Sequence, residues 1–183
     1  MTDAALVRRA SAGDRDAFDV LMTASLARLY RIAFLVLGDG DAAQDAVQDA
    51  LVRCWRDLRQ LRDPERFDAW LHRLLINTVN DAARRHRRIR MTVATIDIDP
   101  AAPDRVDGIV DRDEIARVFE RLSVDHRTIV VLYHYLGLSL AEAATYLGVP
   151  VGTAKSRLHY ATDALRSALA ADARTVTAGE ATA

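Results

Sequence analysis

Apolar residues recur with the spacing of an α-helix over both halves of this chain, and one long acidic segment separates the halves. Residues 41–58 are the clearest case, because their apolar residues follow one stripe of a 3.6-residue period that is predicted to be core. The residues of this stripe are Ala43, Ala46, Val47, Ala50, Leu51, Cys54, Trp55 and Leu58. The other segments predicted to be helical are residues 4–12, 16–37, 67–88, 113–122 and 126–136. Glycine and proline are scarce, at 8 and 4 of 183 residues, which disfavours a turn-rich β-sandwich. The sequence therefore predicts an all-α fold.

The acidic segment, residues 92–112, holds two of the four prolines and five acidic residues and has no helical period. It predicts a linker between two small helical domains, and the Ala/Thr-rich residues 171–183 predict a frayed, flexible tail. The N-terminus lacks the basic-then-apolar pattern of a secretory signal, and the longest uncharged stretch, residues 128–141, is too short to cross a bilayer. With a single cysteine as well, a cytoplasmic protein is expected.

The second half contains the spacing of a helix-turn-helix. Ser139 and Glu142 form a capping box that begins one helix, Gly148 ends it, and Pro150 suits the start of the next. Asp125 is predicted to be the N-cap of the preceding helix, with Gly137 just past its end. Ala144 is small enough for two helices to cross closely.

The helix that follows Pro150 turns short polar side chains outward. Its inward residues are predicted to be Ala154, Leu158, Ala161 and Leu165. Its outward residues are predicted to be Gly152, Ser156 and His159, with Lys155 and Tyr160 on the flanks. Such a set suits base edges in a major groove, although Asp163, one turn later, would repel phosphate. The alternative is a solvated face of a helical bundle.

Catalytic patterns are missing from the sequence. Its histidines (His72, His86, His126, His134 and His159) show no metal-ligand spacing and are interpreted as surface or interface residues, and no phosphate-binding glycine motif is present. Cys54, on the apolar stripe, is interpreted as a small buried hydrophobe. We therefore predict a protein that is not an enzyme, with no metal, no cofactor and no small-molecule substrate. The net charge is only −1, and the positive charge is concentrated in five arginines within residues 84–90.

Several blocks of the chain together resemble one family, the extracytoplasmic-function (group 4) RNA polymerase sigma factors of bacteria. The blocks are AGDRDAF at 12–18, DAVQD at 45–49 followed by Trp55, WLHRL at 70–74 with Asn77 and the arginine run, and LGVPVGTAKSRL at 147–158. The resemblance covers nearly the whole chain, and the order and spacing of the blocks make it specific. It implies two helical domains, called region 2 at residues 1–91 and region 4 at residues 113–170.

The resemblance also implies a role for each surface. The residues implied to dock on the polymerase are Asp45, Gln48, Asp49, Val52 and Arg56. Those implied to meet the melting minus-ten element are Arg62, Arg66, Phe67, Trp70, Asn77, Arg84, Arg85 and Arg88. Phe67 and Trp70 also fall on the apolar stripe of their helix, so at least one of the two is expected to be core. Those implied to meet the minus-thirty-five duplex are Thr153, Lys155, Ser156, Arg157, His159 and Tyr160. The implied partners are core RNA polymerase, promoter DNA and an anti-sigma factor, often membrane-associated.

The chain departs from the family pattern at three places. Gln44 stands where a Glu is common, which removes one charge near the predicted docking face. Tyr160 and the residues after it replace common arginines, which weakens or alters phosphate anchoring. Ala154 replaces a common Val at a packing position of the second helix.

Two rival functions remain open from the sequence. A free-standing helix-turn-helix regulator would bind duplex DNA without polymerase, but it would have no need of the block pattern in residues 1–91. A protein-interaction module or a helical enzyme is the second rival, and the lack of catalytic spacing is the main argument against the enzyme. The sequence favours a transcription initiation factor that directs promoter recognition and melting.

Overall fold

The computed structural model describes residues 3–93, 119 and 121–180, with side chains described for residues 3–85, 119, 121–167 and 170. The chain divides into two compact units, Met1–Pro100 and Ala101–Ala183. Every regular element in the described residues is helical, so the predicted all-α fold is confirmed. Most of the predicted helix at 113–122 and most of the predicted linker at 92–112 lie outside the described residues.

Within residues 3–93, the first unit contains four α-helices and two short 3-10 turns. Its helices are α1 (Ala4–Ser11), α2 (Arg15–Leu37), α3 (Gly40–Asp57) and α4 (Phe67–Val93), and its turns are Leu58–Gln60 and Pro64–Arg66. The first three helices each begin at an aspartate whose carboxylate accepts a hydrogen bond from a backbone N–H of the first turn. Gly38, at φ 71°, ends α2 in the left-handed conformation that favours glycine.

Helix α2 lies at the centre of this unit and packs against α1, α3 and α4. Its buried side chains include Leu21, Leu29 and Ile32, and those of α4 include Leu71, Leu75 and Ile76. By length and by a mean hydropathy of 1.7, α2 is also long and apolar enough to cross a membrane. The core helix of a globular protein meets the same criteria, and the packing of α2 against three other helices fits that description.

The second unit contains α5 (Val124–Val130), α6 (Leu140–Leu147) and α7 (Val151–Glu180). The end of α5 widens into a π-helical turn, Val131–Tyr135. The prediction of Asp125 as the N-cap was wrong: Ser123 is the N-cap, because its Oγ accepts from the N–H of His126. The helix thus begins two residues earlier than predicted, and Asp125 lies inside its first turn.

The helix-turn-helix is present as predicted. Ser139 and Glu142 make both hydrogen bonds of the capping box, and Gly148 ends α6 with φ 65°. Gly137 likewise has φ 67°. The frayed tail predicted from residue 171 differs from the structure, because α7 continues to Glu180.

Candidate functional site

The outward face of α3 is a surface of five exposed side chains on a helix whose other face is core. Those five are the predicted docking residues Asp45, Gln48, Asp49, Val52 and Arg56. Val52 is 67% exposed among polar neighbours, while Ala46, Ala50 and Cys54 on the opposite face are buried. Helical periodicity therefore predicts correctly that these five side chains are exposed and that these three are buried.

Trp55 differs from its predicted place in the core stripe. Its side chain is 42% exposed, and its ring packs edge-on against Phe18 of α2, with ring centroids 4.8 Å apart. The reason is its position at the margin of the stripe, where a ring can cover a neighbouring helix while one edge stays in water.

Ion pairs connect the α3 face to its surroundings. Asp49 lies 3.5 Å from the guanidinium of Arg85 on α4. Arg56 donates two hydrogen bonds, of 2.8 and 2.9 Å, to the adjacent Asp57. Those hydrogen bonds raise the pKa of Arg56 and lower the pKa of Asp57. Of the five side chains, Arg56 and Asp49 thus already have charged partners within this unit.

The turns between α3 and α4 expose two arginines. Asp63 stabilises the second turn by accepting a hydrogen bond from the N–H of Glu65, and Pro64 occupies its first position. Arg62 and Arg66 are exposed, and Arg66 lies 3.5 Å from Asp63. Their guanidinium groups are therefore accessible for contact with phosphate or bases.

Phe67 does not have the exposure that a base-stacking residue needs. Its ring is fully buried at the start of α4, so the prediction of Phe67 as a DNA contact is contradicted by its place in the core. Trp70 is partly exposed and lies 6.2 Å from Phe67 between ring centroids. The two aromatic residues therefore divide the tasks: Phe67 packs inside, and Trp70 offers a ring to the surface.

Helix α4 carries polar and cationic side chains outward along its length. Asn77, Arg84 and Arg85 are exposed, whereas the side chain of Arg88 lies outside the described residues. Asp81 lies 3.7 Å from Arg84 and 3.5 Å from Arg53 of α3. Because these ion pairs are exposed, each contributes little stability and exchanges readily for other partners.

The first turns of α7 carry the predicted minus-thirty-five set. Lys155, Ser156, His159 and Tyr160 are exposed, whereas Thr153 and Arg157 are partly buried. The predicted inward residues are buried or partly buried, as expected for this face. Asp163, predicted to repel phosphate, lies 3.2 Å from His159 and 3.6 Å from Arg166.

Arg157 and Tyr160 have partners on α5 that the sequence did not reveal. Arg157 forms an ion pair of 3.1 Å with Asp125, and Tyr160 stacks on His126 with ring centroids 4.6 Å apart. Asp125 and Arg157 are 32 positions apart in the sequence, and His126 and Tyr160 are 34 positions apart. No local sequence pattern relates residues at such separations. Only the packing of α5 against α7 brings them together.

His72 is buried rather than on the surface. It lies at the margin of a 310 Å³ cavity between α1, α2 and α4, which Arg28 and Asp68 also line. Burial, with a smaller contribution from Arg28, lowers the pKa of His72 to about 4, and Asp68 acts in the opposite direction. The ring is therefore neutral at pH 7 and packs as part of the α2–α4 contact.

Cys54 is buried as predicted. Burial, with a smaller contribution from Asp57, raises the pKa of the thiol to about 12. A thiol in this state is not a nucleophile at neutral pH. Among the residues that the structure describes, no group of His, Cys, Asp and Glu is arranged to hold a metal ion.

The protein thus has two helical units, and each unit has a helix with an exposed polar face. Sequence comparison relates both units to one family. Residues 21–89 match Sigma-70 region 2, and residues 112–165 match Sigma-70, region 4. The chain is 37% identical over 170 residues to the ECF RNA polymerase sigma factor SigL of Mycobacterium tuberculosis, covering 90% of this chain and 96% of SigL.

Two solved structures are similar over most of the chain. CnrH, in complex with the cytosolic domain of CnrY, has a TM-score of 0.63 and 29% identity, covering 93% of this chain and 98% of CnrH. RpoE of Bartonella quintana, in complex with the anti-sigma factor NepR, has a TM-score of 0.69 and 27% identity, covering 85% of this chain and 98% of RpoE.

Together these findings define a two-domain sigma factor of the sigma-70 class. The chain belongs to the ECF RNA polymerase sigma factors. It is a transcription initiation factor that acts with RNA polymerase and is not an enzyme, and the alternative of a free-standing regulator is not favoured.

Proposed function

We propose that the protein docks on core RNA polymerase through the outward face of α3. The observation that carries this proposal is the exposure of Val52 among four exposed polar side chains, on a helix whose other face is buried in the core of the first unit. An exposed apolar residue within a polar surface suits a partner that buries the centre and leaves a polar rim. A rigid helix also loses little conformational entropy when it binds.

Charge reversal tests this docking face. The double variant Asp45→Lys/Asp49→Lys should lose binding to purified core polymerase while its circular dichroism spectrum and melting temperature remain close to those of the wild-type. Asp19→Lys is the matched control, because Asp19 is an exposed acid on α2 of the same unit. The control should bind as the wild-type does. Retained binding by the double variant would refute the docking face.

We propose that the exposed residues of the α3–α4 turns and of α4 contact the minus-ten element as it melts. Arg62 and Arg66 would contact phosphates, and Trp70 would stack on an unpaired base. The other proposed contacts lie further along α4 and are Asn77, Arg84, Arg85 and Arg88. Phe67 is left out of this set, since its ring supports Trp70 from the core.

A single-stranded probe separates these roles. Trp70→Ala should weaken binding of the holoenzyme to a single-stranded minus-ten oligonucleotide, whereas Trp70→Phe should retain most of it because a ring is kept. Arg62→Ala/Arg66→Ala should lose affinity and also show a smaller dependence on salt concentration. Equal loss for Trp70→Phe and Trp70→Ala would contradict a stacking role.

We propose that the first turns of α7 contact the minus-thirty-five duplex, and that regions 2 and 4 are residues 1–91 and 113–170, joined by the linker 92–112. The exposed Lys155, Ser156 and His159 support this contact. Lys155→Ala should weaken duplex binding and reduce its salt dependence.

We infer in addition that an anti-sigma factor controls the protein in the cytoplasm. The similar sigma factor of Bartonella quintana was solved in complex with an anti-sigma factor. Affinity capture with the chain as bait, repeated with Asp45→Lys/Asp49→Lys, would test whether an inhibitor and the polymerase share the α3 face.

A further inference from the structure

The start of α5 holds α7 at two neighbouring points. Asp125 forms its ion pair with Arg157 at 3.1 Å. The ring of His126 stacks on that of Tyr160 at 4.6 Å between centroids and 28° between planes. Arg157 and Tyr160 are three residues apart, so both contacts lie on one face of α7, one turn from each other.

The α5 side of this contact is itself fixed in place. Ser123 accepts a hydrogen bond from the N–H of His126, and its Oγ lies 3.0 Å from Nδ1 of the same residue. Nearby, Arg127 donates to the carbonyl of Leu122 at 3.1 Å. The His126 ring therefore has a defined orientation before it meets Tyr160.

No large apolar side chain of α7 is fully buried in the part of the helix that the structure describes. In the part of the second unit that the structure describes, the buried apolar residues of α6 and α7 are alanines, namely Ala143, Ala144, Ala154 and Ala161, whereas larger buried side chains such as Ile129 and Leu132 belong to α5 and the turn after it. Alanine has no side chain beyond Cβ to interlock with a neighbouring helix. A rotation of about 20° would move a side-chain tip about 6 Å from the helix axis by about 2 Å. A shift of that size breaks a hydrogen bond to a base edge.

We propose that His126 and Asp125 are positioning residues for DNA recognition, which fix the rotation of α7 through Tyr160 and Arg157 and so determine the bases that Lys155, Ser156 and His159 meet. This proposal rests on the proposed contact between α7 and the minus-thirty-five duplex. It changes the interpretation of Tyr160, which then acts by holding the helix rather than by touching DNA.

The character of the stack is aromatic rather than ionic. Burial, followed by the charge of Arg157, lowers the pKa of His126, while Asp125 acts in the opposite direction. The imidazole is therefore neutral at pH 7. One face of the Tyr160 ring is covered by His126, although the residue as a whole remains 62% exposed.

A double-mutant cycle on the full chain tests the proposal. Holoenzyme reconstituted with core bacterial RNA polymerase first selects duplexes from a library randomised over the upstream element. The selected duplex is then the probe for the wild-type, His126→Ala, Tyr160→Ala and the double variant. An aromatic pair supports about a two- to tenfold effect on affinity. Each single variant should lose affinity by about that factor, and the double variant should lose little more than either one.

Conservative variants and base preference complete the test. His126→Phe keeps a ring and should restore affinity to within about twofold. Asp125→Asn should have a smaller effect, because the ion pair is partly exposed. Repeating the selection with His126→Ala should give a broader base preference, which a loss of overall stability would not produce. If His126→Ala does not fold, Tyr160→Leu removes the stack while keeping apolar bulk.

Two results would overturn the positioning role. One is loss of affinity in Tyr160→Ala with none in His126→Ala, since Tyr160 would then touch DNA itself. The other is equal loss in His126→Phe and His126→Ala. Failure of the proposed α7 contact is distinguishable from both, because Lys155→Ala would then leave binding to the selected duplex unchanged.

Discussion

The two units hold their outward helices by different means. In the first unit, α3 packs on a core of large, fully buried side chains from α2 and α4, such as Leu29, Ile32 and Leu75. In the second unit, the fully buried residues that α7 itself contributes are the alanines Ala154 and Ala161, and a polar and aromatic contact also joins the helix to α5. Large interlocking side chains orient a helix strongly, whereas a helix that buries only alanines depends more on specific polar and aromatic contacts.

The largest expected effect comes from removing part of the large core. Leu75→Ala should lower the free energy of unfolding of the first unit by about 2–5 kcal/mol, because it deletes a fully buried side chain and leaves a cavity. Urea unfolding followed by circular dichroism measures the change. Leu75→Ala should weaken binding to core polymerase only because part of the protein is unfolded. The affinity of the folded fraction should equal that of the wild-type.

Leu26→Ala is the matched control for this prediction. Leu26 is an exposed leucine on α2, so its replacement should change the unfolding free energy by less than about 1 kcal/mol. Similar losses for Leu75→Ala and Leu26→Ala would contradict the description of a core that orients α3.

The second prediction concerns the pH dependence of the same unit. The pKa of His72 is about 4 in the folded protein and about 6.5 when unfolded, so the unfolded chain binds more protons between those values. The contribution of His72 to the free energy of unfolding is therefore fully present above pH 6.5 and is lost as the pH decreases toward 4. The difference amounts to about 3 kcal/mol at the lower limit. Thermal unfolding from pH 7.5 to pH 4 measures it.

His72→Leu should flatten this pH dependence, since leucine has no proton to bind. Arg28→Gln should flatten it partly, because the charge of Arg28 contributes to the low pKa. Parallel stability curves for the wild-type and His72→Leu would show that the ring is not held neutral in the fold.

Sequence patterns predicted those parts of the structure that depend on local periodicity. The outward face of α3, the capping box at Ser139 and the left-handed Gly148 all follow from residues close together in the chain. Capping preferences alone do not select one residue where several suitable residues are adjacent. The sequence predicts Asp125 as the N-cap of α5, whereas Ser123 is the N-cap in the structure.

The sequence could not predict features that depend on contacts between helices. Phe67 and Trp70 are three residues apart and both aromatic, and only the packing of α4 decides that the first is core and the second is partly exposed. The burial of His72 in the first unit also depends on contacts between helices. So does the stacking of His126 on Tyr160 in the second unit. The structure was therefore required to decide which of the residues predicted to contact DNA are exposed and which are buried in the core.

The smallest expected effect is the loss of a helix cap in the second unit. Ser139→Ala removes the hydroxyl that accepts from the N–H of Glu142 and should destabilise this unit by about 1 kcal/mol. Ser139 also donates to the Glu142 carboxylate, which lowers the pKa of Glu142, so the wild-type contact is complete above pH 4.5 and weakens as the pH falls through the lower folded value. Thr145→Ala, an exposed hydroxyl later in α6, is the control. Because α6 buries only Ala143 and Ala144, loss of its cap should also weaken duplex binding by α7, whereas unchanged duplex binding in Ser139→Ala would mean that the contact with α5 alone holds the recognition helix.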